Sequence, residues 1–363
     1  MKKLSITLCL ILVFAFALTL TACNKGGSAM DFYYFSTKIH VETHDKKMSD
    51  KTISRLNELF ANAERDFDVE GTNSIVKKIN DGAVGEKISI PEHTVGVFKK
   101  AKDCFDFTDG LFSPCVYPLV KLWQFDSQYS SVIDFTPPTE EQINSTLSTY
   151  SVDFNTLNIE TENLTVTKTK TAMIDFGGIL KGIVADQAKD VLKDAGHQSG
   201  YVSVGSSSLN LLSVSEIGVR HPRNNAKTLL TIDTEELSFT SVSTSGDYER
   251  EHVDKDGNTY SHIIDPRTGY PAKTGVMSAT VLCEDGGFAD AITTALLVCS
   301  YSNESDCELL KMIDEIKKQF PTDFPDVKIF VALSYQGQNL LITNQKQGED
   351  FTLLDKDYQV VNV

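Results

Sequence analysis

Three side chains in the last third of the chain have the types and spacing of a phosphate and metal site. His262 precedes residues 265–271 (Asp-Pro-Arg-Thr-Gly-Tyr-Pro), a turn that its prolines and glycine stiffen. Asp290 and Thr294 follow, four residues apart, which places them on one face of a helix. Carboxylate and hydroxyl oxygens are hard ligands that suit Mg2+ or Ca2+. Taken alone, the pair is explained more simply by structure, with Asp290 capping the helix and Thr294 packing in the core.

A second segment could hold an anion. Residues 174–182 read Ile-Asp-Phe-Gly-Gly-Ile-Leu-Lys-Gly, which predicts a strand, a turn at Gly177 and Gly178, and then a helix. Free N–H groups and the positive helix end favour a phosphate there, and glycines let a ligand approach the backbone closely. Lys181 would add a positive charge. A plain tight turn before an amphipathic helix explains the same residues. The segment matches neither a Walker loop nor a GxGxxG motif.

Hydroxyl groups mark a third segment. Residues 244–248 (Thr-Ser-Gly-Asp-Tyr) end a predicted strand, so that Thr244 and its neighbour could contact phosphate or ribose, or simply form a turn. Residues 205–208 (Gly-Ser-Ser-Ser) do not match GxSxG, and no triad partner is marked, which disfavours a serine hydrolase.

The elements that would position these residues are helices and strands interspersed without a βαβ repeat. This pattern predicts an α+β fold with mixed sheets and packed helices. Ser49 is expected to cap a helix, and Gly196 to end one. Helices are predicted at 93–107, 181–195, 288–298 and 305–320. Strands are predicted at 32–42, within 157–171, and at 200–204, 209–212, 216–219, 228–231 and 239–243, with a terminal hairpin at 327–335 and 338–343. Residues 66–80 are expected to form a loop or the wall of a cleft, and residues 126–150 a connecting segment at the edge of a domain.

Composition limits the function classes. The chain has 363 residues, 41% of them hydrophobic, and a formal net charge of −16 at pH 7. Such an acidic surface disfavours nucleic acid and other polyanions as partners and suits divalent cations. The cysteines show no CxxC pair or Cys/His cluster, so neither a disulfide framework nor a zinc site is expected.

The first residues have the pattern of an export signal. Lys2 and Lys3 precede an apolar stretch at 4–20, and Leu-Thr-Ala-Cys follows at 20–23. This predicts a signal peptide at 1–22, a lipid on Cys23, a tether at 23–30 and the main domain at 31–363. The protein is therefore expected at the extracytoplasmic face of a bacterial membrane, held by its lipid anchor. An ordinary signal peptide with an incidental cysteine is the alternative.

In this order, the motifs resemble those of the ApbE flavin transferases, the FAD:protein FMN transferases. The resemblance rests on residues 108–123, on 174–182 with Asp186, on 244–248, on 261–271 and on 289–295. It runs from about residue 34 to the C-terminal hairpin and implies an ApbE-like two-lobed architecture. The implied reaction uses Mg2+ and moves the FMN half of FAD onto a Thr or Ser hydroxyl of flavin-acceptor proteins at the membrane surface, releasing AMP.

The resemblance also implies roles for individual residues. Asp290 and Thr294 would bind Mg2+ together with the backbone oxygen of Gly178, and His262 and Asp290 would be catalytic. The implied FAD contacts are Leu111, Phe112, Ser113, Asp175, Lys181, Thr244 and Ile264.

Some positions depart from the family pattern. Ser113 stands where the family usually has aspartate, and Ser206 where it often has glycine. These changes bear on FAD affinity more than on the metal site. They keep three alternatives open: a lipoprotein that binds FAD without transfer, one that hydrolyses FAD to FMN and AMP, and one whose pocket has decayed.

Overall fold

The computed structural model describes residues 26–126, 132–235, 237–319 and 327–363. The predicted signal peptide and Cys23 lie outside these residues. The strands are β1 (Ser28–Tyr34), β2 (Thr37–Thr43), β3 (Lys87–Ser89), β4 (Ile133–Phe135), β5 (Leu157–Glu160), β6 (Thr165–Lys168), β7 (Gly200–Val204), β8 (Ser208–Ser213), β9 (Glu216–His221), β10 (Asn224–Asp233), β11 (Ser238–Gly246), β12 (Glu251–Asp254), β13 (Thr259–Ser261), β14 (Val276–Cys283), β15 (Lys328–Tyr335), β16 (Gln338–Thr343), β17 (Phe351–Leu353) and β18 (Tyr358–Asn362). The α-helices are α1 (Asp50–Phe67), α2 (Ile75–Asp81), α3 (Val95–Phe107), α4 (Tyr117–Leu122), α5 (Glu140–Thr149), α6 (Leu180–Asp194), α7 (Gly286–Val298) and α8 (Glu308–Gln319).

A nine-stranded sheet organises the molecule. Its order is β1-β2-β7-β8-β11-β14-β15-β16-β18, and every neighbouring pair is antiparallel except β16 and β18. Helices α6 and α7 pack on one face, and the small sheet β17-β10-β9 covers part of the other. Every residue of β14 is buried, because this central strand is covered on both sides. The mixed α+β class predicted from the sequence is confirmed.

The predicted helix starts and stops agree well with the structure. Ser49 caps α1 by accepting a hydrogen bond from the Thr52 backbone N–H at 3.1 Å. Gly196 follows α6 in the left-handed conformation, with φ +78°. Capping preferences are properties of a few adjacent residues, which is why sequence alone identifies them.

Four element predictions were wrong. Residues 32–42 are not one strand but the hairpin β1–β2, which turns at Phe35 and Ser36, both with positive φ. The expected loop at 66–80 contains α2, which Ser74 caps. The residues directly before Gly177 do not form a strand, and the Ile174 backbone is instead hydrogen-bonded by the Asn80 side chain. The hairpin β15–β16 is not terminal, since β18 returns to pair with β16. The last difference depends on the pairing of β16 with β18, a separate segment, which local sequence does not encode.

The first described strand begins inside the segment predicted as a tether. β1 starts at Ser28 and pairs with Thr43 on β2. The Ser28 hydroxyl also accepts a hydrogen bond from the Met48 backbone N–H at 2.9 Å. Residues 28–30 of the predicted 23–30 tether are therefore part of the sheet. Within the described ranges, the longest apolar helix still falls short of what crossing a membrane requires.

A separate small core supports the turn that follows His262. Leu119, Trp123, Phe135, Ile143 and Ile264 form this cluster together with Phe125. The Trp123 indole N–H donates a hydrogen bond to the Gly269 carbonyl at 2.8 Å. The connecting segment predicted at 126–150 thus includes β4 and α5. These elements pack beneath the turn at 265–271.

Candidate active site

The first turn of α6 crosses α7 at direct backbone contact. A Cβ atom on Gly182 would lie 1.9 Å from the Gly286 carbonyl oxygen and 2.9 Å from the Asp290 Cβ. Only glycine permits such an approach. The crossing therefore brings the start of one helix against the side chains of the other.

Asp290 lies at this crossing with only 2% of its surface exposed. Its Oδ2 accepts a hydrogen bond from the Gly182 backbone N–H at 3.1 Å. Gly182 is the third residue of α6, so this N–H has no partner within the helix, and the positive helix end faces the carboxylate. Burial raises the pKa of Asp290, and the nearby Lys181 charge opposes that rise. Asp285 caps α7, so Asp290 is not a helix cap.

Thr294 and Gly178 complete the group predicted to hold a metal. Thr294 Oγ1 lies 3.4 Å from the Asp290 carbonyl oxygen, one turn along α7. A Cβ atom on Gly178 would lie 3.7 Å from Thr294 Oγ1 and 3.3 Å from the Phe112 ring. The fold thus gathers Gly178, Asp290, Thr294 and Phe112 from three parts of the chain.

The donor set fits Mg2+ in kind. A carboxylate, a hydroxyl and a backbone carbonyl are oxygen ligands of the type that Mg2+ prefers. The buried charge of Asp290 also lacks a cationic ion-pair partner among the described side chains. No cluster of three or more His, Cys, Asp or Glu side chains suited to a metal occurs in the part of the chain that the structure describes. A cation bound by this set would therefore complete its coordination with water or substrate phosphate.

The glycine turn before α6 is already occupied in part by protein groups. Asp175 Oδ1 accepts a hydrogen bond from the Gly177 N–H at 2.8 Å, and the Lys181 ammonium donates to the Gly177 carbonyl at 2.7 Å. Burial raises the pKa of Asp175, opposed by the Gly177 N–H and by the charges of Lys181 and Arg250. Together with the Gly182 bond, these contacts show that protein groups already engage part of this turn. The Asp290 carboxylate accepts a hydrogen bond from the Gly182 N–H, a donor that would otherwise be free to bind a phosphate.

His262 follows β13 in a defined tautomer. Its backbone N–H donates to the Arg250 carbonyl at 3.1 Å, and its Nδ1 lies 3.3 Å from the same oxygen. A carbonyl oxygen only accepts, so Nδ1 carries the proton and Nε2 keeps a free lone pair. Burial, with a smaller effect of the Arg250 charge, lowers the pKa of His262 to about 3. At neutral pH the ring is uncharged and Nε2 can accept a proton.

The remaining predicted FAD contacts occupy different environments. Leu111 and Ile264 are buried, and Ile264 forms a backbone bridge with Pro271. The Thr244 hydroxyl is half-buried and lies 2.9 Å from that of Thr280. Their roles stay predictions.

Ser113 has a structural function that the sequence did not reveal. Its hydroxyl accepts a hydrogen bond from the Cys115 N–H at 3.1 Å and donates to the Val152 carbonyl at 2.5 Å. The side chain is only 5% exposed. Its one O–H is therefore committed to the Val152 carbonyl, and the FAD contact predicted for Ser113 stays a prediction.

Two residues near the site received no role from the sequence. Arg250 is exposed, and its positive charge acts on both Asp175 and His262. Asp186 accepts hydrogen bonds from the Gly286 N–H and the Ser241 hydroxyl, both at 2.6 Å, and so fixes the first turn of α7. The only sequence signal for Arg250 is its place two residues beyond the segment 244–248.

Replacing Gly182 with alanine tests the helix crossing. Because the new methyl group would overlap a backbone carbonyl, we expect the free energy of unfolding to fall by about 3 kcal/mol. Gly96 in α3 is the matched control, since a Cβ there meets nothing within 4 Å. Gly96→Ala should raise stability by about 0.5 kcal/mol. Urea unfolding of both variants measures the difference, and equal stabilities would contradict the crossing.

Comparison with known proteins agrees with this architecture. A model of the ApbE family matches residues 35–315. An FAD:protein FMN transferase of Klebsiella pneumoniae (strain 342) is 28% identical over 329 residues, which cover 88% of this chain and 92% of that protein. The crystal structure of an ApbE protein from Thermotoga maritima has a TM-score of 0.71 at 28% identity, covering 85% of this chain and 94% of the other. The flavin transferase ApbE from Vibrio cholerae has the same TM-score at 21% identity, covering 87% and 96%, and supports the fold.

The matched region contains every element that builds the site. It includes the glycine turn before α6, the His262 segment and helix α7. The resemblance seen in the motifs is confirmed, and the chain belongs to the ApbE family.

Proposed function

We propose that this ApbE-family transferase uses Mg2+ to move the FMN half of FAD onto a Ser or Thr hydroxyl of a target protein, with release of AMP. The observation that carries the proposal is the assembly of Gly178, Asp290 and Thr294 at the crossing of α6 and α7. The fit of these oxygens to Mg2+ and the FAD:protein FMN transferase activity of the relatives support it.

The residues of this chain can be given definite tasks. Asp290, Thr294 and the Gly178 carbonyl would hold Mg2+, which when bound neutralises charge on the diphosphate and on the departing AMP. The target hydroxyl oxygen bonds to the FMN phosphorus as the bond from that phosphorus to the oxygen of AMP breaks. AMP leaves with the electron pair of the broken bond. The hydroxyl proton passes to Nε2 of His262, whose Nδ1–H donates to the backbone carbonyl of Arg250.

Lys181 gives the site a fixed positive charge. Its ammonium group lies at the Gly177 carbonyl, and its charge acts on Asp175, His262 and Asp290. A phosphate bound near the start of α6 would therefore meet Lys181. Phosphoryl transfer depends mainly on such positioning and charge, because the reacting phosphate is itself the electrophile.

Transfer is tested by weighing an acceptor domain. The purified protein is incubated with FAD, Mg2+ and a domain that a known FMN transferase modifies. We expect a mass gain equal to bound FMN that disappears with EDTA. FMN and AMP free in solution, without a mass gain, would instead identify an FAD hydrolase. Intact FAD with no mass gain would support a protein that binds FAD without transfer.

We also propose that the protein is anchored outside the cytoplasm through a lipid on Cys23. The apolar stretch at 4–20 and the residues before Cys23 support this. Cys23→Ala should move the protein from the membrane to the soluble fraction if processing at residue 22 continues. Mass spectrometry must establish the N-terminus, because an uncleaved signal would itself retain the protein. A correctly processed variant that stayed in the membrane would contradict the lipid anchor.

A further inference from the structure

Arg250 differs from the other arginines of the chain. Of the six, five form ion pairs with carboxylates: Arg55 with Asp194, Arg65 with Asp66, Arg220 with Glu249, Arg223 with Asp247 and Arg267 with Asp265. The Arg250 guanidinium has no hydrogen-bond or ion-pair partner among the described residues, although glutamates flank it in sequence. In a protein with a net charge of −16, an arginine without a carboxylate partner is an exception that its position must explain.

That position is the edge of the candidate active site. Arg250 lies in the connection between β11 and β12, and its carbonyl accepts hydrogen bonds from the His262 backbone at 3.1 Å and from Nδ1 at 3.3 Å. Its side chain is exposed, and its charge acts on His262 and on Asp175 across the site. The Arg250 backbone therefore lies against the proton acceptor, and its exposed guanidinium has no carboxylate partner among the described residues.

We propose that the Arg250 guanidinium binds the diphosphate of the dinucleotide substrate and stabilises the negative charge that develops on the leaving phosphate. The proposal deepens the proposed function and rests on it. A guanidinium offers up to five N–H donors in a planar fork that matches two phosphate oxygens. Lys181, on α6, supplies a compact point charge. Arg250 would add a directional contact that Lys181 cannot make.

Binding measurements separate this role from a structural one. Isothermal titration calorimetry in EDTA compares FAD, which carries the diphosphate, with riboflavin, which carries no phosphate. For Arg250→Gln we expect FAD affinity to fall about 10-fold or more and riboflavin affinity to change less than about 2-fold. Arg250→Lys should recover part of the FAD affinity. Arg55→Gln, which removes a surface arginine of α1, is the control and should match the wild type.

Turnover supplies the second readout. If Arg250 stabilises the leaving phosphate, the rate of FMN transfer at saturating FAD should fall a further 10-fold or so in Arg250→Gln. The proposal would be overturned if Arg250→Gln lost equal affinity for FAD and for riboflavin. It would also be overturned if Arg250→Gln had the same FAD affinity and transfer rate as Arg55→Gln. The loss of FAD affinity relative to the loss of riboflavin affinity is measured without turnover. It therefore tests the role of Arg250 whether or not the wild-type protein transfers FMN. A failure of the proposed function is thereby distinguishable from a failure of this inference.

Discussion

Asp290→Asn is expected to lower the rate of FMN transfer about 1000-fold or more, while the folded protein persists. The substitution keeps the shape of the side chain and an oxygen for the Gly182 N–H, but it removes the buried negative charge that would attract Mg2+. A loss of that size corresponds to about 4 kcal/mol of transition-state stabilisation, in the range expected for a metal ligand. Single-turnover transfer measures the rate, and calorimetric titration with Mg2+ measures the affinity.

The neighbouring threonines provide the matched control. Thr293 and Thr294 both place their hydroxyls near the Asp290 carbonyl, but Thr293 is fully buried and bonds to Ser245 at 2.9 Å. Thr294→Val should weaken Mg2+ binding, whereas Thr293→Val should cost stability, about 1 kcal/mol, and leave Mg2+ affinity unchanged. Wild-type activity in Asp290→Asn would refute the metal assignment. Equal effects of the two threonine variants would refute it for Thr294.

His262→Ala is expected to lower transfer about 100-fold or more, the usual contribution of a positioned general base. The wild-type pH profile tests the base more closely. Since the neutral ring accepts the proton and the pKa lies near 3, the base is lost only as the pH falls through about 3. The value of kcat/KM should therefore show no decline between pH 8 and 5 that depends on His262. If the pKa of His262 were unshifted, kcat/KM would fall to half its maximum near pH 6.5.

Two observations would contradict the assignment of His262 as a base whose pKa is lowered by burial. One is a His262→Ala variant as active as His93→Ala, which removes an exposed histidine on the surface. The other is an acid limb near pH 6.5 that disappears in His262→Ala, since it would place the pKa of this ring at its ordinary value. The first outcome would return His262 to a structural role, and the second would keep the base but remove the effect of burial.

Local sequence was sufficient for features that depend on adjacent residues. The helical period placed Asp290 and Thr294 on one face, and the caps at Ser49 and Gly196 follow from side-chain chemistry within a few positions. The order of the motifs was sufficient to indicate the ApbE family, which the comparison confirmed. The lipid anchor at Cys23 remains a prediction from sequence alone.

The tertiary structure decided which partner each of these groups meets. Gly182 and Asp290 lie 108 residues apart, and their bond exists because two glycines let α6 and α7 cross in backbone contact. The same long-range packing turned the Ser113 hydroxyl toward Val152 and left Arg250 without a carboxylate. Spacing along the chain determines which face of a helix or strand a side chain occupies. Which distant group lies opposite that face depends on how the whole core packs, so the hydrogen-bond partners of this site emerge only in the folded chain.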